Sequence, residues 1–285
     1  MEPSLVAIVG PTASGKSDLA MYLAGSFGGE IVAADSRTIY KGMDIGTAKP
    51  SVIEQKQITH HCIDLVEPSE RYSVHDYQKA ARQAIADIIR RGRVPFLVGG
   101  SGLYLDAVLY DYVFGEEDAE VRDSLPEDLH ALQQIADDRD YQVPEQVYMN
   151  ARHLRGYIAR GGRRGSRGRQ TTALIIGVSV DFEILKQRIV TRVEQMLASG
   201  FVQEVKGLLQ KYGEDAPGFR APGYGPAIDY LSSKISEQEL FDLFIQNHTQ
   251  LAKRQMTWFK RNPDINWVTS REEAEQLLRA KFPLV

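Results

Sequence analysis

The chain has 285 residues, of which 43% are hydrophobic and 25% charged, a composition typical of a globular protein with a sizeable core. Its formal net charge of -4 argues against a protein that coats nucleic acid through bulk charge, although it leaves room for a local basic groove. The single cysteine, Cys62, excludes an internal disulfide bond and a zinc site built from cysteines. We expect no secretory signal, no membrane span and a cytoplasmic location.

Short runs rich in Val and Ile alternate with segments whose apolar residues recur at helical spacing. Dense runs of this kind are typical of parallel strands buried on both faces, so the alternation predicts an α/β fold with helices on both faces of a parallel sheet. The strands are predicted at 5–9, 30–34, 62–66, 94–98 and 173–180, with a last edge strand at 265–268. The helices are predicted at 16–26, 75–91, 182–211, 225–232, 236–261 and 271–281.

Two segments interrupt this alternation. Residues 116–140 contain ten acidic side chains and few large apolar ones, which predicts an inserted helical subdomain with a solvated surface. Residues 152–169 contain seven arginines and no acid, and their glycines indicate a loop that could either follow RNA phosphates or serve as a linker. We therefore divide the chain into the first part of the core, the inserted subdomain, and the completed core with a helical C-terminal region. These parts are 1–112, 113–150 and 151–285.

The segment GPTASGKS, residues 10–17, matches the phosphate-loop pattern G-x-x-x-x-G-K-[ST] and stands between a predicted strand and a predicted helix. In such a loop the backbone N–H groups surround phosphate oxygens, Lys16 supplies a positive charge and the Ser17 hydroxyl can bind Mg²⁺. The fold is therefore expected to be P-loop NTPase-like. The residues expected to hold a phosphorylated ligand are Gly10, Thr12, Ala13, Ser14, Gly15, Lys16 and Ser17.

The phosphate loop alone does not identify the reaction. A motor protein or GTPase would need a carboxylate after a second apolar strand, but the run VPFLVGG (94–100) ends in glycine, and no guanine-reading Asn-Lys pair occurs. A small-molecule kinase remains possible because it needs only the loop, a substrate carboxylate and some arginines. Asp35 follows the second predicted strand, so its carboxylate is expected at the same edge of the sheet as the loop.

Several longer blocks carry a family resemblance. They are AADSRTIYKGMDIGTAKP (33–50), THHCIDLVEPSERYSVHDY (59–77), FLVGGSGLYLDAVL (96–109), RVEQMLASGFVQEVKGLL (192–209) and QLAKRQMTWFKRNPDINWV (250–268). Together with the phosphate loop, these blocks resemble the tRNA dimethylallyltransferases, also called tRNA isopentenyltransferases. The resemblance implies transfer of a dimethylallyl group from dimethylallyl diphosphate to N6 of the adenosine next to the anticodon on its 3′ side, with release of diphosphate.

The resemblance also implies roles for particular residues. Asp35 is expected to be the general base, and Ser101 stands where the family usually has threonine, with Lys16 as the third catalytic group. Arg192 matches an arginine that approaches the diphosphate, and Mg²⁺ is the implied cofactor. The residues expected to contact the anticodon stem-loop of tRNA are Asp35, Ser36, Arg37, Thr38, Ser101, Arg152 and Arg155. The inserted subdomain is expected to help hold that tRNA. The chain is expected to act as a monomer.

Three alternatives stay open at this point. An adenylate isopentenyltransferase would use free AMP, ADP or ATP as the acceptor, a kinase would consume ATP, and a non-catalytic protein would only bind RNA.

The consecutive residues His60, His61 and Cys62 do not predict a metal site, because neighbouring residues on a strand point to opposite faces. His60 is expected at the edge of the pocket, and Trp258 and Phe259 are expected in the core.

Overall fold

Parallel strands in the order β3-β2-β4-β1-β7-β8 form the central sheet of this computed structural model, which describes residues 4–113, 118–162, 166–167 and 171–282. The strands of this sheet are β1 (Leu5–Val9), β2 (Gly29–Ala33), β3 (His60–His61), β4 (Val94–Gly99), β7 (Ala173–Val178) and β8 (Asn266–Val268). Strand β1 lies between β4 and β7 and is completely buried. This explains why its sequence is a continuous apolar run rather than an alternating one.

Helices follow the strands, and two of them, at 52–57 and 102–109, were not predicted from the sequence. Those of the core are α1 (Lys16–Ser26), α2 (Val52–Gln57), α3 (Val74–Arg90), α4 (Gly102–Leu109), α9 (Phe182–Ala198), α10 (Phe201–Tyr212), α11 (Tyr224–Leu231), α12 (Glu237–Phe259) and α13 (Arg271–Lys281). Helix α3 begins with a capping box in which the Ser73 hydroxyl accepts from the Asp76 N–H and the Asp76 carboxylate accepts from the Ser73 N–H. Within the described residues, no helix is long and apolar enough to cross a membrane.

The structure corrects two predicted elements. The predicted strand at 62–66 is instead the short strand β3, because Cys62 and Asp64 adopt positive φ angles of 62° and 52° that an extended strand does not allow. The predicted helix at 182–211 is two helices, α9 and α10, separated at Gly200, whose φ of 96° ends the first and begins the second. The α/β class with one parallel sheet is confirmed.

The chain divides into two units, one of residues 1–109 and 171–285 and one of residues 110–170. The second unit contains β5 (Tyr112–Val113), α5 (Ala119–Ser124), α6 (Leu129–Asp138), α7 (Glu145–Tyr148), α8 (Ala151–Ala159) and β6 (Ser166–Arg167). Leu125, Leu132, Leu154 and Ile158 form the centre of its own apolar core. Helix α8 packs against α5, α6 and α7 and so falls in the second unit, which ends at residue 170; the predicted division placed the segment from 151 onward with the core.

Candidate active site

The phosphate loop lies between β1 and the first turn of α1, as its motif predicts. Its curvature depends on Ala13 and Gly15, whose φ angles are 62° and 90°. A side chain at Gly10 would place its Cβ 2.9 Å from the Ser14 hydroxyl, which is buried and has no hydrogen-bond partner in the described part of the chain. A buried hydroxyl without a partner is costly, so the Ser14 hydroxyl is an unused donor within the phosphate loop.

A cavity of about 520 Å³ opens beside this loop at the carboxyl edge of the sheet. The side chains that reach it come from the phosphate loop, from the segment after β2, from the turn after β4 and from α9 and α12. Its lining includes Thr12, Lys16, Ser17, Asp35, Ser36, Arg37, Thr38, Ser101 and Arg192. The structure thus brings together most of the residues that the sequence proposed for the diphosphate and for the acceptor.

Lys16, Arg192 and Asp35 are close enough for their charges to act on one another. Burial, and then the positive charge of Arg192, lowers the pKa of Lys16 to about 8, while Asp35 acts in the opposite direction. Burial also lowers the pKa of Arg192, again opposed by Asp35. The Arg192 Nε atom is buried without a hydrogen-bond partner among the described residues. Lys16 and Arg192 together carry two positive charges, and Asp35 balances only one of them. The pair is therefore suited to binding an anion that carries more than one negative charge.

Asp35 and Ser101 are joined through the backbone that follows β2. The Asp35 carboxylate accepts from the N–H of Arg37 at 2.8 Å, so one of its oxygens is fixed while the side chain still lines the cavity. The Ser101 hydroxyl accepts from the N–H of Ser36 at 2.9 Å and lies 3.3 Å from the Ser36 hydroxyl. A side chain at Gly99 would collide with the carbonyl of Ala34 at 2.0 Å, and the glycine therefore lets the two turns approach each other.

Thr38 completes this segment. Its side chain is buried, and its hydroxyl has no partner within the described chain. It therefore has an unused donor and acceptor in a residue that lines the cavity, and its contact with tRNA stays a prediction.

The predicted arginines of the second unit have a different setting. Arg152 is exposed on α8. Arg155 donates from Nε to the Arg122 carbonyl at 3.0 Å and lies 3.5 Å from a Glu127 carboxylate oxygen, contacts that hold its own unit together. Their proposed contact with tRNA stays a prediction. Arg163, Arg164 and Arg169, in the glycine- and arginine-rich tract, fall outside the described residues.

Helix α12 contributes side chains to the cavity that the sequence pattern did not predict. His248, Leu251, Gln255 and Trp258 all line the cavity, at the spacing that places residues on one face of a helix. Trp258 was expected in the core, but it is 39% exposed, and its indole N–H donates to Asp106 at 3.1 Å. Phe259 is buried, as expected. The spacing alone could have identified this face, but it could not show that the face borders a cavity.

His248 is the least expected member of this face. It is 4% exposed, and its Nδ1 atom has no hydrogen-bond partner among the described residues. Burial, and then the charge of Arg192, lowers the pKa of His248 to about 4, so the ring is neutral at physiological pH. A neutral imidazole can lie next to Arg192 without adding a further positive charge.

A second cleft of about 730 Å³ borders the phosphate loop and is lined by residues 13–19 among others. It shares Lys16, Ser17 and Arg192 with the first cavity and adds Arg188, which donates to the Ser14 carbonyl at 3.2 Å. Arg188 thereby ties α9 to the phosphate loop. The positively charged side chains of Lys16, Arg188 and Arg192 thus all line the cleft beside the loop.

The histidine pair has structural contacts. His60 lies at the cavity edge, as expected, with Nδ1 2.8 Å from the Ile58 carbonyl, and His61 pairs with Glu30 at 2.6 Å. Burial raises the pKa of the Cys62 thiol to about 12. Among the described residues, no group of His, Cys, Asp and Glu side chains is arranged to hold a metal ion.

Comparison with known proteins decides the family. The model of the IPP transferase family matches residues 38–262. This chain belongs to the IPP transferase family. It is 40% identical to tRNA dimethylallyltransferase 1 of Pelobacter propionicus, over 97% of this chain and 96% of the relative. It is 37% identical to the tRNA dimethylallyltransferase of Geobacillus thermodenitrificans, over 94% of this chain and 90% of that protein.

Solved structures of the IPP transferase family agree. The full-length tRNA isopentenylpyrophosphate transferase of Bacillus halodurans has a TM-score of 0.77 and 33% identity, covering 99% of this chain and 97% of that one. The tRNA delta(2)-isopentenylpyrophosphate transferase of Staphylococcus epidermidis has a TM-score of 0.76 and 31% identity, covering 99% of this chain and 100% of that one. The resemblance inferred from the sequence blocks is confirmed.

Proposed function

We propose that this chain transfers a dimethylallyl group from dimethylallyl diphosphate to N6 of the tRNA adenosine that follows the anticodon, with release of diphosphate. The relatives named as tRNA dimethylallyltransferases support the substrate pair. One observation of the site carries the assignment of roles: Lys16 and Arg192 face the Asp35 carboxylate in a single cavity. Two cations are thereby available to the leaving diphosphate, and one base is available to the acceptor.

The reaction balances with these groups. The amino nitrogen of adenine forms a bond to the allylic carbon, while the bond between that carbon and the diphosphate oxygen breaks. The diphosphate takes the electron pair of the broken bond, and the charge that develops on it lies near the N–H groups of the phosphate loop, Lys16 and Arg192. The nitrogen becomes cationic as it attacks, and the Asp35 carboxylate accepts its proton.

A magnesium ion fits the donor set of the phosphate loop. Ser17 is exposed in both clefts, and the described residues supply no acidic cluster beside it, so the Ser17 hydroxyl, the diphosphate and water would provide the oxygens. When bound, the ion would neutralise charge on the diphosphate. The chain itself would orient the diphosphate through residues 10–17.

The acceptor side of the cavity offers groups for an adenosine that has left its base stack. Ser36, Arg37 and Thr38 line the cavity together with Arg220 and Arg254, which add positive charge for a phosphate backbone. We assign the second unit, with Arg152 and Arg155, to holding the rest of the anticodon stem-loop. The relatives are named for tRNA, and so we favour tRNA over free AMP as the acceptor.

An acceptor comparison tests this proposal. The chain is incubated with radiolabelled dimethylallyl diphosphate and Mg²⁺, and either unmodified tRNA or AMP is offered at equal concentration. We expect label in tRNA and none above background in AMP. Label in AMP alone would replace the proposal with an adenylate isopentenyltransferase, and ATP turnover without prenyl transfer would replace it with a kinase.

A further inference from the structure

Gln255, on the cavity face of α12, joins two segments that are far apart in the chain. Its side-chain oxygen accepts from the N–H of Thr12 at 2.8 Å, and its side-chain NH₂ donates to the carbonyl of Gly100 at 3.0 Å. An N–H can only donate and a carbonyl can only accept, so these two partners allow the amide one orientation. Both functional atoms of Gln255 are thus used by backbone rather than by other side chains.

The two segments carry different halves of the proposed reaction. Thr12 belongs to the phosphate loop, whereas Gly100 immediately precedes Ser101, whose hydroxyl accepts from the N–H next to Asp35. Strands β1 and β4 are neighbours, but their pairing ends at Val9 and Gly99. Beyond that point the strand ladder no longer fixes the distance between the loops. Gln255 provides a cross-link there.

The glycine at position 100 fits this contact. A Cβ at Gly100 would lie 2.3 Å from the Nε2 atom of Gln255, whereas the Gly10 carbonyl oxygen would be 3.4 Å away. The collision would therefore involve this amide almost alone. In the same motif, a Cβ at Gly102 would lie 2.4 Å from the Trp258 ring. Two glycines of the segment GGSG thus allow α12 to approach the turn after β4.

We propose that Gln255 is a positioning residue for prenyl transfer, which sets the distance between the bound diphosphate and the turn that carries Ser101 and supports Asp35. The inference rests on the proposed function. Misplacement of reacting groups by about 1 Å can cost about 100-fold in rate. A glutamine that fixes both loops should therefore act on turnover more than on stability.

The first test replaces Gln255 by methionine, which has a similar volume and neither hydrogen bond. We expect kcat at saturating dimethylallyl diphosphate and tRNA to fall about 10- to 100-fold. The KM for tRNA should change little, and the melting temperature should fall by no more than about 5 °C. The matched control is Gln246→Met, since Gln246 is exposed on the opposite face of the same helix, and it should behave like wild type.

The second test approaches the same contact from the other side. Gly100→Ala should displace the amide of Gln255 and reduce kcat to a similar degree, and the double variant Gly100→Ala/Gln255→Met should be no slower than the slower single variant. Wild-type kcat in Gln255→Met, or single-variant losses that multiply in the double variant, would overturn the proposal. A wild-type chain that transfers no prenyl group would refute the proposed function instead.

Discussion

The substitution Asp35→Asn separates the proposed chemistry from binding. Asparagine keeps a side-chain oxygen for the Arg37 N–H, which the carboxylate accepts at 2.8 Å, so the turn after β2 should keep its conformation. What is lost is the ability to accept the proton from the adenine nitrogen. General base catalysis contributes about 100- to 10,000-fold in rate, which corresponds to an increase of about 3–5 kcal/mol in activation free energy.

The structure adds a second expectation for this variant. Asp35 opposes the lowering of the Lys16 pKa, which is about 8 in the presence of the carboxylate. Without that charge, Lys16 should lose its proton at a lower pH. The KM for dimethylallyl diphosphate should then begin to rise at a lower pH than in the wild type. A purely structural defect would not shift this profile.

The assay is a single-turnover reaction with tRNA bound in advance, followed by quenching and counting of labelled tRNA. Asp242→Asn is the matched control, because Asp242 is an exposed residue of α12 whose carboxylate accepts from Gln238 at 3.1 Å. An unchanged single-turnover rate in Asp35→Asn would remove Asp35 from the mechanism. A loss confined to tRNA affinity would make it a binding residue.

Three further predictions concern the shifted pKa values of Lys16, His248 and the buried Cys62. With the Lys16 pKa at about 8, kcat/KM for dimethylallyl diphosphate should fall as the pH rises through that value, and Lys16→Arg, which stays charged, should remove this decline. The pKa of His248 is lowered from 6.5 to about 4, so as the pH falls the unfolded chain binds this proton at a higher pH than the folded chain does. The unfolding free energy of the wild type should therefore decrease by about 3 kcal/mol between pH 6.5 and 4 because of this residue. Urea titrations of His248→Gln should not show this decrease. Cys62 is buried with its pKa raised to about 12, so a thiol reagent at pH 8 should label it only after unfolding, and rapid labelling of the native chain would contradict the described packing.

Much of the site could be predicted because its residues follow strands. The phosphate loop after β1, Asp35 after β2 and Ser101 after β4 must meet at one edge of a parallel sheet, whatever their separation in the chain. The predicted strand at 62–66 failed for a local reason: Cys62 and Asp64 adopt left-handed backbone conformations, which the apolar run CIDLV does not predict.

The contribution of α12 could not be predicted in the same way. Gln255 and Gly100 are separated by 155 positions, and their contact depends on how a long helix packs across the ends of β1 and β4. The sequence shows an apolar and a charged face on this helix, but it does not show which polar residue is directed toward a cavity. Trp258 was assigned to the core for the same reason: an aromatic residue beside charges is equally compatible with a core and with a cavity wall.

Prenyl transfer to tRNA and release of diphosphate should be one event in this cavity. The most direct measurement is the stoichiometry of a single reaction with unmodified tRNA, in which diphosphate is quantified in solution and N6-prenylated adenosine is quantified by mass spectrometry after digestion of the tRNA. We expect equal amounts of the two products, both strongly reduced by Asp35→Asn. Diphosphate released without prenylated adenosine, or a prenyl group found on another atom of the tRNA, would show that the two are not one transfer reaction to N6.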